Sequence, residues 1–481
     1  MLNKYIINKN NNFLLITILI SLLHLITINT GPINLEFTFS DAANYFISND
    51  QYLLKQYFHY EANTLALPFA ASIFSSKYYL FDGLLTIRFI NIFCLFLLSY
   101  GVYHLCNYYN IIHKSEILLL ILLNPLIWTF SERATSDFSP MALGVFSVAL
   151  ILNSKKYLTL LIGSIMLGFS ILLKYHALIY LVIIYFLFKD KDKYQLFNYK
   201  KYSFVASISI SFFILYNILV YTKFGFWLTP PEFQVKHGFL LSSFFSNLIA
   251  YSGFIFIATF PLFFCNLNYI TYLKNNIRII TILLIILSIL CFFYFTINGE
   301  VDFGPLNTIF NDRFRSFLFV IFGFFGFIFY FQSPKNNPFN LLKFSIFIIL
   351  VLFSLTRPSQ RYLILIIPFF ILFLPQSSFS RRSLICFTLL LFFIINIYLE
   401  CARLTTAKSS FDMVLKIQSL GLLDFTNPGV IEGHYGNYFN IYLREYKYTI
   451  ISGYDKNAII TVSDNILFIR KTYSLIPFVK N

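Results

Sequence analysis

Charged residues are scarce in this chain. Lysine, arginine, aspartate and glutamate make up 12% of its 481 residues, and 58% of the residues are hydrophobic. A soluble domain carries about 25% charge, so this composition excludes an ordinary soluble domain. Apolar runs of about 18 or more residues recur along the chain, and each is long enough to cross a bilayer. The sequence therefore predicts an all-α polytopic membrane protein.

Cysteines and the common catalytic signatures are also scarce or absent. The six cysteines form no CxxC pair and no cluster of metal ligands, so we interpret them as small buried hydrophobes. The sequence contains no Walker loop, no HExxH or GxSxG motif, and no GxGxxG motif after a strand. These absences leave no sequence support for a nucleotide-binding site, a zinc protease site or a nucleophile-elbow hydrolase.

About thirteen segments are predicted to span the membrane. The first follows a short polar start and lacks a small-residue cleavage site, so we interpret it as a retained signal anchor. Placing the N-terminus in the cytoplasm puts 16 basic and three acidic residues in cytoplasmic segments, against 11 basic and 11 acidic residues in the outer segments before the tail. This is the bias that the positive-inside rule requires, and it puts the C-terminus outside. The net charge of +15 then reflects topology rather than nucleic-acid binding. The predicted spans are 12–29, 84–105, 116–131, 138–153, 157–173, 175–188, 203–221, 246–265, 278–297, 315–332, 342–355, 361–375 and 383–401.

Two regions outside the spans are predicted to be ordered. The first outer loop, residues 30–83, is much longer than the usual connection of about 4–6 residues, and we expect interfacial helices in it. Residues 1–402 are predicted to form the transmembrane domain and residues 403–481 a small extracytoplasmic α/β domain. In this tail the stretches YKYTIIS and AIITVSDNILFIR alternate as strands do.

The first candidate site lies in that outer loop. Asp41 begins a helix-compatible run in FTFSDAANYF, with Tyr45 one turn later. Asp41 is interpreted either as a helix N-cap or as a carboxylate that takes a proton from an incoming hydroxyl. Arg88 enters the second predicted span. It either extends to the lipid headgroups or faces a cavity and orders the acids of the loop.

Two later segments carry further candidates on the same predicted face. Glu132, Arg133 and Asp137 cluster at an outer turn, which is either solvated or supplies a second carboxylate that holds acceptor, metal or loop. Arg357 and Arg361 lie in a predicted outer segment, where the positive-inside rule disfavours basic residues. A planar guanidinium suits phosphate oxygens. Interfacial anchoring by Arg361 and Tyr362 is the alternative. Weaker candidates for the anion role are Lys174, His176, Arg313 and Arg315.

Four segments together resemble the GT-C superfamily of membrane glycosyltransferases, especially bacterial relatives of protein O-mannosyltransferases and lipid A aminoarabinose transferases. They are Asp41-x-x-x-Tyr45, the LFDGLLTIRFINIF entry to the second span, the NP…SERATSDFSPMAL passage and the late RYLILIIPFF. The likeness covers most of residues 10–375, and the tail has no counterpart. Many relatives carry an Asp-Glu pair in the first loop, whereas Ala42 follows Asp41 here. This departure leaves metal use and acceptor class open.

The resemblance implies a sugar transferase that uses a polyprenyl-phosphate donor at the outer face of a bacterial inner membrane. Asp41 would be the general base and Asp137 the second acid, while Arg361, Arg357 and Lys174 would bind the donor phosphate. Tyr45, Arg88, Glu132, Tyr362 and His176 would support them. The acceptor would be a glycan, lipid or protein hydroxyl, a divalent cation such as Mg or Mn would be an optional cofactor, and nucleic acid would not be a partner.

Three other functions are alternatives to this interpretation of the sequence. A secondary transporter usually carries ionisable residues at mid-membrane, and the predicted spans contain almost none. A lipid-linked polysaccharide polymerase or ligase shares the donor chemistry and would depend on arginine or histidine in a large later loop. A non-catalytic membrane scaffold requires none of these residues.

Overall fold

The structure is a computed structural model. Asp41 and Arg357 lie outside the described residues, so their predicted roles stay predictions. The structure describes residues 2–28, 30, 36, 39, 42–43, 45–46, 49, 54, 65–75, 82–111, 113–190, 195–228, 241–265, 267–294, 312–331, 340–356, 359–373, 382–420, 448–452, 454–466 and 469–477.

The described part is mostly helical, and a helix covers or overlaps each of the predicted spans. Several helices are broken where the sequence contains proline or a polar residue. The helices are α1 (Leu2–Ile26), α2 (Ala66–Phe74), α3 (Asp82–Tyr108), α4 (Lys114–Leu122), α5 (Pro125–Ser131), α6 (Phe138–Leu152), α7 (Tyr157–Leu173), α8 (Ile179–Asp190), α9 (Gln195–Phe224), α10 (Phe244–Thr259), α11 (Leu267–Asn275), α12 (Ile277–Tyr294), α13 (Asp312–Phe331), α14 (Asn340–Ser354), α15 (Gln360–Leu363), α16 (Ile367–Phe373) and α17 (Arg382–Ser419). Short 3₁₀ turns cover Tyr175–Leu178, Leu241–Ser243 and Leu262–Cys265.

Membrane association is supported by the length and composition of a few of these helices. Three helices in the described part are long and apolar enough to cross a bilayer, within 83–108, 199–224 and 383–409, and the count rises to five if each of two bent pairs is one span. Shorter apolar helices such as α6 and α7 have 15 and 17 residues. At 1.5 Å per residue they reach about 23–26 Å, less than the roughly 30 Å of hydrocarbon. The predicted thirteen spans therefore stay a prediction.

The chain divides into two compact units, and the larger comprises residues 1–17, 94–127 and 137–392. In this unit α7 packs between α6 and α9, α8 packs on α14, and α10 packs on both α13 and α14. The α10–α13 contact depends on glycine. A Cβ at Gly253 would lie 2.5 Å from the Phe319 carbonyl oxygen, and one at Gly323 would lie 2.9 Å from that of Ile249. Small residues let the two backbones approach, as is usual between membrane helices.

The second unit comprises residues 18–93, 128–136 and 393–481. Its helix α2 lies in the predicted first outer loop, with Leu67 and Ala71 buried while Ile73 and Phe74 are exposed. Large exposed apolar side chains on one face of a short helix are typical of a helix that lies against lipid. The finding confirms a helix in this loop. The rest of the interfacial prediction falls largely on residues outside the described part.

The second unit also contains the tail, where strand structure in both predicted stretches is confirmed, although the second stretch is divided between two strands and the last strand extends beyond it. The small α/β domain stays a prediction. The strands are β1 (Tyr448–Ser452), β2 (Ile460–Ile466) and β3 (Ile469–Pro477), and they form an antiparallel sheet in the order β1-β3-β2. Leu475 of the central strand is fully buried, and Lys408 of α17 pairs with Asp464 of β2 at 3.0 Å. Helix α17 runs without a break through the predicted domain boundary at residue 403.

Candidate functional site

Asp137 is the residue that precedes α6, and its side chain is almost fully buried. It makes no capping hydrogen bond to the helix that it precedes. Its carboxylate instead faces two cations from distant parts of the chain. Lys174 Nζ donates a hydrogen bond to Oδ1, and Arg361 Nη1 lies 4.0 Å from Oδ2. A side chain that could have served as an N-cap is therefore used for ion pairing.

Lys174 lies at the break between α7 and the 3₁₀ turn Tyr175–Leu178. Its backbone is extended, with φ −159° and ψ 120°, which ends α7 and turns the side chain toward Asp137. Burial lowers the pKa of Lys174, the Asp137 carboxylate opposes that effect, and the Arg361 charge adds to it. Since a buried ammonium is costly without a counter-charge, Asp137 is what permits a lysine at this position.

Arg361 and Tyr362 lie on the short helix α15. The Tyr362 ring stacks on His176, with centroids 4.0 Å apart and planes 18° apart, and Lys174 Nζ lies 5.2 Å from the Tyr362 ring centre. Phe353 at the end of α14 packs against both rings. Three segments separated by many residues thus meet around Asp137. We call Asp137, Lys174, His176, Arg361 and Tyr362 the cationic cluster.

The charges of the cationic cluster favour an anion. One carboxylate faces two cations, and Arg361 is the more accessible cation, with 24% of its side chain exposed against 6% for Lys174. A guanidinium can bind a phosphate through two parallel hydrogen bonds. A divalent cation does not fit beside Asp137, because Lys174 and Arg361 already supply positive charge there. Among the residues described, no group of three or more His, Cys, Asp and Glu side chains could hold a metal.

Arg88 belongs to the second unit and is fully buried. Its guanidinium donates to both carboxylate oxygens of Glu36, at 2.9 and 3.0 Å, and to the carbonyl oxygens of Ile28 and Thr30, at 2.7 and 2.6 Å. Glu36 Oε1 also accepts the Ala134 backbone N–H at 2.7 Å. Arg88 therefore holds an acid of the first outer loop and the residues that follow α1, and it does not extend to solvent.

Glu132 lies in a second buried network of this unit, which the sequence did not indicate. His24 Nδ1 lies 3.1 Å from Oε2 of Glu132, Thr27 donates to the same oxygen at 3.2 Å, and Arg403 Nε lies 3.7 Å from Oε1. Arg403 also pairs with Glu400. Burial alone would raise the pKa of Glu132, but the hydrogen bond with His24 and the Arg403 charge hold it below its ordinary value. The sequence feature that could have indicated this network is His24, a histidine inside a predicted apolar span.

Ser131, His24 and Glu132 have the connectivity of a hydrolase triad. Ser131 Oγ lies 2.9 Å from His24 Nε2, on the opposite side of the ring from Glu132. However, Ser131 is completely buried and its hydroxyl also lies 2.8 Å from the Trp128 carbonyl oxygen. A nucleophile must reach its substrate. We therefore interpret this arrangement as structural.

The structure thus brings five of the predicted site residues together, namely the members of the cationic cluster. Arg88, Glu132 and Tyr45 belong to the second unit, where Tyr45 is buried. Arg313 is exposed on the first turn of α13. No protein-family model, no curated protein and no solved structure matches the chain.

Proposed function

We propose that this protein is a membrane glycosyltransferase that takes a sugar from a polyprenyl-phosphate donor. The observation that carries the proposal is the cationic cluster, in which Arg361 and Lys174 flank one buried acid, Asp137. Charged groups are rare inside a predominantly apolar helical protein, and where they occur they usually mark a functional site. The cluster suits a phosphate that arrives attached to a lipid.

Each residue has a role in this proposal. Arg361 binds the donor phosphate and stabilises the charge that builds on it as the glycosidic bond breaks. Asp137 holds Lys174 in place and balances its charge, and the Tyr362–His176 stack orients the segment that carries Arg361. Asp41 accepts the proton of the acceptor hydroxyl, whose oxygen attacks the anomeric carbon with inversion while polyprenyl phosphate leaves. The role of Asp41 depends on the sequence alone.

The finer topology belongs to the same proposal. About thirteen spans place the N-terminus in the cytoplasm and the C-terminus outside the bacterial inner membrane. The site then faces the outer leaflet, from which a lipid-linked donor can enter. Residues 403–481, with their three-stranded sheet, would lie outside the cell. The acceptor is a glycan, lipid or protein hydroxyl.

The test uses purified, reconstituted full-length protein and a panel of synthetic polyprenyl-phosphate sugars. We expect the wild type to release sugar from at least one donor and Asp41→Asn to lose most of that activity, because general-base catalysis contributes about 10²–10⁴-fold. Asp50→Asn is the matched control, since it removes another acid of the same loop. Unchanged release by Asp41→Asn removes the base assignment, and no release from any donor contradicts the proposal.

The network around Glu132 favours one second candidate, a proton-coupled transporter. His24, Glu132, Glu400 and Arg403 form a largely buried chain of ionisable groups on helices α1 and α17 and the segment after α5. Such chains carry protons in many transporters. Proteoliposomes with an internal pH-sensitive dye would test this candidate. Proton movement that depends on an added solute and is lost in His24→Phe would favour transport over sugar transfer.

A further inference from the structure

The described residues of the segment that carries Arg361 include little regular structure. Helix α14 ends at Ser354, α15 contains only the four residues Gln360–Leu363, and a turn follows before α16. A helix of one turn has too few internal hydrogen bonds to hold its place. Since Arg361 must be aimed accurately to bind a phosphate through two bonds, contacts from other helices must position this segment.

One helix holds the upstream end of the segment. Asn247 Nδ2 donates to the carbonyl oxygens of Ser354 and Thr356, both at 3.0 Å, and Tyr251 Oη accepts the Ser359 backbone N–H at 2.9 Å. Asn247 and Tyr251 are four residues apart on α10 and therefore share one face. Both are buried, at 3% and 0% exposure. They hold the backbone on either side of Arg357 and Pro358.

Another helix holds the downstream end. Tyr180 of α8 is fully buried, and its hydroxyl donates to the Leu365 carbonyl oxygen at 2.9 Å. Its ring occupies space that a glycine leaves open. A Cβ at Gly144 would lie only 2.0 Å from the ring of Tyr180. The placement of this hydroxyl therefore depends on α6 as well as α8.

We propose that Asn247, Tyr251 and Tyr180 are positioning residues that aim Arg361 at the phosphate of a lipid-linked donor. The inference rests on the proposed function, because it assigns them to the site proposed there. The three side chains bind backbone atoms before and after Arg361. Loss of one of these hydrogen bonds shifts the segment and misplaces the guanidinium without unfolding the protein.

The first test needs no ligand. Hydrogen–deuterium exchange of full-length protein in detergent is measured for peptides that cover residues 354–366. We expect faster exchange there, because Tyr251→Phe removes the acceptor of the Ser359 amide and Asn247→Ala removes the donor to the Ser354 and Thr356 carbonyl oxygens. The matched control is Tyr269→Phe, which removes a similarly buried hydroxyl that donates to the Phe325 carbonyl oxygen at 3.0 Å. If exchange is unchanged in both Tyr251→Phe and Asn247→Ala, these two side chains do not hold the segment and the inference is overturned.

The second test measures binding of geranylgeranyl monophosphate by calorimetry, with geranylgeraniol as the probe that lacks phosphate. We expect Tyr251→Phe and Tyr180→Phe to weaken binding about three- to tenfold, the effect of one hydrogen bond. In an Arg361→Ala background the same substitutions should have no further effect, because they act through Arg361. Tyr269→Phe should bind as the wild type does.

The outcomes separate the two proposals. If Arg361→Ala weakens binding but Tyr251→Phe and Tyr180→Phe do not, the positioning inference is overturned and the proposed site stands. If the tyrosine substitutions weaken binding equally with and without Arg361, they do not act through it, which also overturns the inference. If the wild type binds no phosphate probe, the proposed function fails. The exchange measurement alone then decides whether Asn247 and Tyr251 hold the segment.

Discussion

The buried pair of Arg88 and Glu36 yields the sharpest prediction on stability. Arg88→Met keeps the length of the side chain but leaves the Glu36 carboxylate buried without its cation. Breaking a buried ion pair in this way costs about 3–5 kcal/mol of the free energy of unfolding. Arg88→Lys should recover only part of this, since one ammonium cannot replace a guanidinium that reaches two carboxylate oxygens and the Ile28 and Thr30 carbonyls.

The double variant Arg88→Met/Glu36→Leu distinguishes the cost of an unpaired buried charge from the cost of the other lost hydrogen bonds. It removes both charges, but the Ala134 N–H and the Ile28 and Thr30 carbonyls then lose their partners. At about 1 kcal/mol for each lost hydrogen bond, the double variant should remain about 1–3 kcal/mol below the wild type and above the single variant. Denaturant unfolding in detergent measures all four proteins. If Arg88→Met is as stable as the wild type, or if the double variant is no more stable than Arg88→Met, the buried pair does not stabilise the protein in this way.

Three further predictions concern other buried contacts. Asp137→Asn should destabilise the protein by about 3 kcal/mol, because it leaves Lys174 without its anion, and adding Lys174→Met should recover part of the loss in thermal unfolding. The pKa of Glu132 is held below its ordinary value, so its ionised form adds stability above about pH 4.3 that is lost as the pH falls. Glu132→Gln should therefore reduce the fall in melting temperature at acid pH. An unchanged dependence of the melting temperature on pH would contradict this. Gly253→Leu should cost about 1–3 kcal/mol or more, since the new side chain meets the Phe319 carbonyl; a variant that expresses and melts normally would argue against the close contact of α10 and α13.

The positions of the helices could be predicted from the sequence because long apolar runs have few alternatives. The alternation in the tail predicted strand structure there, but not the division of the second stretch into β2 and β3. The predicted domain boundary at 403 falls inside α17, which continues to Ser419. The residues after Cys401 include many helix formers and neither glycine nor proline before Gly421, so nothing there stops the helix. A change from apolar to polar composition marks the end of an apolar run, not the end of a helix.

The candidate site could be predicted in part. Asp137, Lys174 and Arg361 were identifiable as charged residues next to apolar runs. Their pairing was not, because Lys174 and Arg361 are far from Asp137 in sequence and local patterns carry no information on such contacts. For the same reason the contacts of Glu132 with His24 and Arg403 could not be predicted, because no local sequence pattern indicates that Arg403 lies close to Glu132.

The affinity of the protein for geranylgeranyl monophosphate shows whether Arg361 binds the phosphate of a lipid-linked donor. The comparison is between the wild type, Arg361→Ala and Arg278→Ala, which removes an exposed arginine at the start of α12. A hydrogen-bonded charge contributes about 1.5–3 kcal/mol, so Arg361→Ala should bind about 10- to 100-fold more weakly while Arg278→Ala binds normally. Equal affinity in all three proteins would contradict the account.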